Sequence, residues 1–274
     1  MKRRFFQASD GAQLPVHTGG QGRPLVILHG WTGHFQDWRL LAERLGKHFS
    51  FYGWEARPYH ADNPTIPRMA QDVADLLDAF ELERPLLLGH SMGAMVCWEY
   101  IRQFGDARLD RLCIVDQSPR LLNGPDWDLS LWGRFGPEEN GRFISELQRD
   151  FARGVIELIA HSRVSKSGGP GIPYELLEAR RQRLMRMEPE PWIAAWESLT
   201  SLDARDVLPR ISVPTLLAYG GKSAYYGPKV AQYVHGRIPN SKLVMYPEAG
   251  HSPQLEAMED FISDLVAFGA NQVA

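Results

Sequence analysis

Short, nearly unbroken apolar runs recur along the chain: Leu25–Leu28, Phe49–Tyr52, Leu86–Leu88, Leu112–Val115, Thr215–Tyr219 and Leu243–Tyr246. Runs this short without polar alternation predict strands buried on both faces, hence a parallel sheet covered by helices. Helical patterns lie between them. Ile66, Met69, Val73, Leu76, Leu77 and Phe80 recur at helical spacing, with Thr65 as N-cap and Pro67 in the first turn. Trp38 to Leu45 reads as a helix capped by Asp37, Ala94 to Ile101 as a buried helix, and Phe261, Leu265, Val266 and Phe268 as a C-terminal helix. The segment from Phe5 to Val16 reads as an antiparallel edge hairpin around Asp10-Gly11. Alternation of strand and helix predicts a doubly wound α/β sheet.

One segment breaks the alternation. From Pro119 to about Pro209 no strand is predicted; the pattern is helical, with breaks at Asn123-Gly124-Pro125, Gly136-Pro137, Ser167–Gly171 and Pro189-Glu190-Pro191. An insertion this long between two core strands is usually functional when ordered. We read 119–209 as a helical cap over the carboxyl edge of a core formed by 1–118 and 210–274, with the glycine run at 167–171 as a mobile loop. The cap holds Trp127, Trp132, Trp192 and Trp196, which either line a substrate cavity or glue the cap together.

The candidate chemistry centres on Gly89-His90-Ser91-Met92-Gly93, between the apolar run 86–88 and the helix after it. A serine between glycines on a strand-to-helix turn is a nucleophile elbow; the plainer reading is a Gly-Ser turn between core elements. A serine hydroxyl needs a base. His251, in Gly250-His251-Ser252-Pro253, follows the last predicted strand and falls at the same sheet edge as Ser91, where open α/β sheets bind ligands. His161 and His235 fall in helical patterns, and His17, His48 and His60 lie early in the chain.

With His29-Gly30-Trp31 after the third strand, the elbow, and Gly250-His251, the chain resembles the α/β-hydrolase superfamily over nearly its whole length. The resemblance implies an eight-stranded, mostly parallel sheet with a cap after the sixth strand, and a serine nucleophile. It also implies an oxyanion hole from the backbone N–H groups of Met92 and Trp31. Two departures stand out. Most relatives carry an aspartate after the seventh strand, but Tyr219–Tyr226 has no carboxylate, and Ser223 holds the expected place. Asp116, at the end of the sixth strand, is where a minority of similar hydrolases put the acid, so it is the expected partner of His251; alternatively Asp116 anchors the loop or cap, with the triad incomplete or completed by Glu248. After the fourth strand the usual Asp-x-Arg-Gly loop reads Glu55-Ala56-Arg57-Pro58, and Arg57 reads as structural. His29 reads as a loop brace and His34 as a residue that faces solvent or lies near the pocket mouth.

Composition narrows the classes. Of 274 residues, 44% are hydrophobic and 23% charged, ordinary for a globular α/β protein. The net charge of −3 argues against a nucleic-acid partner. Arg180, Arg181, Arg183 and Arg186 read as a solvated helix face. No metal-ligand spacing is seen, and no cofactor is expected. No segment nears the roughly 18–20 apolar residues that span a membrane. Met1-Lys2-Arg3-Arg4 has a signal peptide's charge without its apolar stretch, and Cys97 and Cys113 read as reduced core residues, so a cytoplasmic location is expected. The expected function is hydrolysis of an ester or thioester of a small, largely apolar substrate. A cofactor-free dioxygenase or a perhydrolase using His251 and Asp116 is the alternative; a receptor without turnover is a third class.

Overall fold

Neighbouring residues along each core strand face opposite sides of the sheet, and both sides are buried. Leu25, Ile27, Leu88, Cys113, Val115 and Leu216 belong to one apolar layer, whereas Val26, Leu28, Leu87, Leu112, Ile114 and Leu217 belong to the other. This double burial is why the runs lack polar alternation. A computed structural model describes residues 1–162 and 174–270; the glycine run at 167–171 lies outside the described residues.

The chain opens with an antiparallel hairpin of β1 (Lys2–Gln7) and β2 (Gln13–Gly20). β3 (Arg23–Leu28) follows, then a tight turn over Phe35–Trp38 and helix α1 (Arg39–Leu45). Asp37 is not the cap of that helix: it sits inside the preceding turn, where its Oδ2 accepts from the His34 N–H at 3.2 Å. Next come β4 (Phe49–Trp54) and α2 (Ile66–Ala79), whose cap Thr65 accepts from the Arg68 N–H as expected. β5 (Leu86–His90) leads into α3 (Met92–Phe104), and β6 (Arg111–Val115) follows.

Between β6 and the next strand lie α4 (Pro137–Arg149), α5 (Phe151–Ala160), α6 (Tyr174–Leu184) and α7 (Pro189–Ser201). Among the described residues this insertion contains no strand. Its two ends meet at the sheet: Arg120 and Asp203 form an isolated bridge, and the Ala204 N–H donates to Pro119 O at 2.8 Å. β7 (Thr215–Gly220), α8 (Pro228–Arg237), β8 (Ser241–Tyr246), the short α9 (Pro253–Glu256) and α10 (Met258–Ala270) complete the chain. Proline opens α4, α7, α8 and α9, where its missing N–H costs no intrahelical bond.

The eight strands form one sheet in the order β1-β2-β4-β3-β5-β6-β7-β8. Only the β1–β2 and β2–β4 pairs are antiparallel. α1 and α10 cover one face; α2, α3 and α8 cover the other. β5 lies between β3 and β6, so the loops that leave these three strands emerge side by side at the carboxyl edge. Among the described residues no helix is long and apolar enough to cross a membrane.

Arg57 is buried in this framework. Its guanidinium forks onto Asp72 with two bonds of 2.7 Å and reaches Asp62 O and Asp10. Glu55 beside it is the shared partner of Arg3, His17 and His60, and these donors hold its carboxyl well below the usual range against the upward push of burial. The altered loop after β4 is therefore an ion-paired brace.

Candidate active site

Ser91 joins β5 to α3 with φ 54° and ψ −121°, a conformation an L-residue holds only when its surroundings impose it. Here they do. A Cβ on Gly89 would lie 2.4 Å from Gly93 O, and one on Gly93 would lie 2.3 Å from Leu28 O. Strand and helix are thus packed backbone against backbone on either side of the serine, which only glycine permits. The Ser91 N–H is tied to Val115 O at 3.1 Å, and Ser91 O accepts from Ala94 and Met95 at the start of α3. Met92 is the first residue of that helix, where an N–H has no intrahelical acceptor.

The loop after β3 lies against the elbow. A Cβ on Gly30 would meet Ser91 Cβ at 3.1 Å, so Trp31 begins within reach of the serine. The loop is braced by His29, whose Nδ1–H donates to Gly30 O at 2.9 Å while its Nε2 accepts from the Ala56 N–H at 3.2 Å. Both ring nitrogens are spent, and burial lowers the His29 pKa to about 3. His34 caps the turn that follows and stacks edge-on to Tyr59.

On the other side of β5, Asp116 leaves β6 with φ 43° and no solvent exposure. Its N–H bonds to Ala218 O at 2.9 Å. Its Oδ2 accepts from the Gly220 N–H at 2.8 Å, and its Oδ1 accepts from Ser223 Oγ at 2.8 Å and faces His251 Nδ1 at 2.9 Å. Burial pushes the Asp116 carboxyl up; the Gly220 amide and the Ser223 hydroxyl oppose it. All the groups around it are donors, so the carboxylate form is the one they satisfy. Nδ1–H of His251 then points at Asp116, leaving Nε2 unprotonated and able to take a proton. Burial draws the His251 pKa down to about 3, which keeps the ring neutral. His251 is held between Tyr225, at 4.4 Å between ring centres, and His90, at 4.8 Å; His90 Nε2–H also donates to His251 O at 2.9 Å.

Ser91 and His251 open onto one cavity. Its apolar wall includes Trp31, Leu121, Leu131, Leu158, Trp196 and Leu199; its polar lining includes Thr32, Asp37, Arg180, Tyr225, Tyr226 and Gln254. Among the described residues no group of three or more His, Cys, Asp or Glu side chains is placed to hold a metal ion.

A family model described as the alpha/beta hydrolase fold matches residues 23–257. The chain belongs to the α/β-hydrolase fold family. Curated relatives include the pimeloyl-[acyl-carrier protein] methyl ester esterase of Vibrio vulnificus, 25% identical over 257 residues that make up 93% of this chain and 97% of the relative. The enzyme of that name from Chromobacterium violaceum is 28% identical over 255 residues, 92% of this chain and 96% of the relative. Among solved structures, an esterase from Exiguobacterium antarcticum superposes with a TM-score of 0.87 at 24% identity, covering 97% of this chain and 99% of that one.

Within this α/β-hydrolase fold, Ser91, His251 and Asp116 come together, with Trp31 and Met92 on either side of the serine. Glu248, the other carboxylate considered for the triad, pairs with Lys222 at an exposed position. Of the four tryptophans in the 119–209 insertion only Trp196 lines the cavity. Trp127 packs edge-on to Tyr233 under Arg205. Trp132 packs on Phe135 and on Tyr225, outside the cavity. Trp192 is buried against Tyr59 and offers its carbonyl to the Trp31 indole at 2.8 Å. These three serve packing: each ring is held by aromatic or cationic neighbours, and none is part of the cavity wall. Cavity residues not foreseen are the Trp31 ring, Tyr225, Tyr226, Arg180 and Gln254. The arginine cluster is not a uniformly solvated face: Arg183 forks onto Asp37 at 2.8 and 3.0 Å, and Arg180 lines the cavity.

Proposed function

We propose that this α/β-hydrolase is a carboxylic ester hydrolase acting through an acyl-enzyme on Ser91. His251 Nε2 takes the serine proton as Oγ attacks the ester carbonyl, and Asp116 holds the ring in the tautomer that permits this and stabilises the imidazolium. The Met92 and Trp31 amides receive the oxyanion; one such donor is worth on the order of 3 kcal/mol. His251 returns the proton to the departing alkoxide, then activates water to release the acid.

The observation that carries this reading is the 2.9 Å contact of a fully buried Asp116 with Nδ1 of His251, whose ring lines the cavity that also receives the strained elbow serine. Curated relatives named for cleavage of a methyl ester support an oxygen ester with a small alcohol as the bond attacked. The segment 119–209 acts as the cap, and its leucines and Trp196 suit an aliphatic or aryl acyl chain of a small-molecule substrate. The free, buried thiols Cys97 and Cys113 suit a reducing, cytoplasmic setting.

Stopped-flow hydrolysis of p-nitrophenyl butyrate tests the reading. A burst of p-nitrophenol, with an acyl mass increment on Ser91, is expected, and Ser91→Ala should remove turnover by several orders of magnitude. Turnover that survives Ser91→Ala would refute it.

A further inference from the structure

Most of the cavity's charges are internally matched; one is not. Asp37 and Arg183 form a closed pair: Arg183 gives both terminal nitrogens to the two oxygens of Asp37, and the His34 N–H adds a third bond. Arg180, one turn earlier on α6, shares this carboxylate only at 4.0 Å. Its Nε, like that of Arg183, is shut off from solvent without a partner, but unlike Arg183 it makes no hydrogen bond through its terminal nitrogens to Asp37. The stretch 163–173 that leads into α6 has no acidic residue to offer. Two guanidinium groups therefore meet one carboxylate, and the surplus positive charge lies on the cavity wall. Burial pulls the Arg180 pKa below the usual guanidinium value, as expected for a cation short of a partner.

A second orphan lines the same cavity. Thr32 follows Trp31 with φ 53°, a left-handed conformation that is a real outlier for a β-branched residue. Its hydroxyl is buried, has no hydrogen-bond partner and belongs to a residue that lines the cavity. Thr32 O in turn is 3.5 Å from Arg183, the neighbour of Arg180 on Asp37, so the threonine lies on the same side of the cavity as this charge group. Gln254, fully buried and also on the cavity wall, has both amide atoms unpaired. Buried polar groups are seldom left so, and polar side chains without partners around one cavity point to a ligand that pairs with them.

We propose that Arg180 and Thr32 form a carboxylate-binding subsite, so that the preferred substrate is an ester carrying a second, ionised carboxylate separated from the scissile bond by an apolar spacer. A guanidinium fork matches the two oxygens of a carboxylate, and the threonine hydroxyl adds a donor. The leucines and Trp196 that line the same cavity accept the spacer. Phosphate has the same oxygen geometry, but its second negative charge would face Asp37. The inference rests on the ester-hydrolase reading for the bond cleaved, but not for the binding itself.

Calorimetric titration of the Ser91→Ala protein separates the two. The probes are monomethyl adipate and methyl adipamate, alike except that the second carries a neutral amide in place of the carboxylate. The carboxylate should bind about tenfold to a hundredfold tighter, as hydrogen bonds to charged groups do. Adding Arg180→Gln should erase the preference; adding Arg180→Lys should leave part of it, since the charge stays and the fork goes. In the protein with Ser91 intact, the ratio of kcat/KM for the two esters should follow the same order. Equal binding of the two probes, or a preference that survives Arg180→Gln, would overturn the subsite. Tighter binding of a phosphate-bearing methyl ester than of monomethyl adipate would overturn the carboxylate assignment. If the preference is found but neither ester is cleaved, the subsite stands and the hydrolase reading falls.

Discussion

Ser223 donates a 2.8 Å hydrogen bond to Oδ1 of Asp116, the same oxygen that meets His251. In the proposed triad, the position after β7 that usually supplies the acid in this family thus supports an acid that comes from β6 instead. The Gly220 N–H completes the seat from the end of β7 itself. The two strands have in effect exchanged donor and acceptor around one histidine.

That exchange predicts a reciprocal pair of variants. Asp116→Asn should lower kcat for p-nitrophenyl butyrate about 10⁴-fold, since an amide cannot hold the working tautomer or stabilise the imidazolium. Ser223→Asp alone should destabilise the fold, because two buried carboxylates would share one site. Combined, Asp116→Asn and Ser223→Asp should recover part of the lost rate by returning the acid to the β7 side. Kinetics and thermal melts of the three proteins check this; near-normal turnover by Asp116→Asn would refute the role of Asp116.

The pH profile follows from burial of His251. Only the neutral ring can accept the serine proton, so kcat/KM is lost as pH falls through the histidine pKa. Burial draws that pKa from its ordinary 6.5 to about 3. The acid limb should therefore lie well below pH 6.5, with activity retained near pH 5. Profiles of kcat/KM for p-nitrophenyl butyrate against pH read this directly, and a midpoint at or above 6.5 would contradict it.

Much of this was legible in the residues, for reasons that also explain what was not. Doubly buried strands lack polar alternation, so the core of the sheet and the elbow at the end of β5 could be located from local pattern. Asp116 could be singled out because Tyr219–Tyr226 holds no carboxylate, but its contact with His251 spans 135 positions and depends on how β6 and β7 lie side by side. The tryptophans could not be sorted between lining and packing because composition marks aromatic rings without saying which partner each one finds: Trp192 is turned toward Tyr59, Trp196 toward the opening. Arg180 and Arg183 looked like a solvated face because the hydrophobic pattern of α6 is weak, and nothing local shows that Asp37, from the other end of the chain, draws that face inward.

The elbow makes a last prediction from two glycines in helices. Gly93 lies in the first turn of α3, where an added Cβ would fall 2.3 Å from Leu28 O and 2.7 Å from Leu28 C, both backbone atoms that cannot step aside. Gly141 lies within α4, where an added Cβ meets nothing within 4 Å. Replacing either with alanine removes the entropic cost of glycine in a helix, about 0.5–1 kcal/mol. At Gly141 that gain stands alone, so Gly141→Ala should raise stability by about that amount and leave ester turnover unchanged. At Gly93 the clash must push α3 off β3, at a cost of at least about 2 kcal/mol. The same displacement would carry Ser91 and the Met92 amide away from Trp31, so Gly93→Ala should lose activity in whatever protein still folds. Urea unfolding of both variants, with a burst assay on the folded fraction, reads the two effects separately. A Gly93→Ala protein as stable and active as its Gly141→Ala counterpart would mean that strand and helix are not in backbone contact at the elbow.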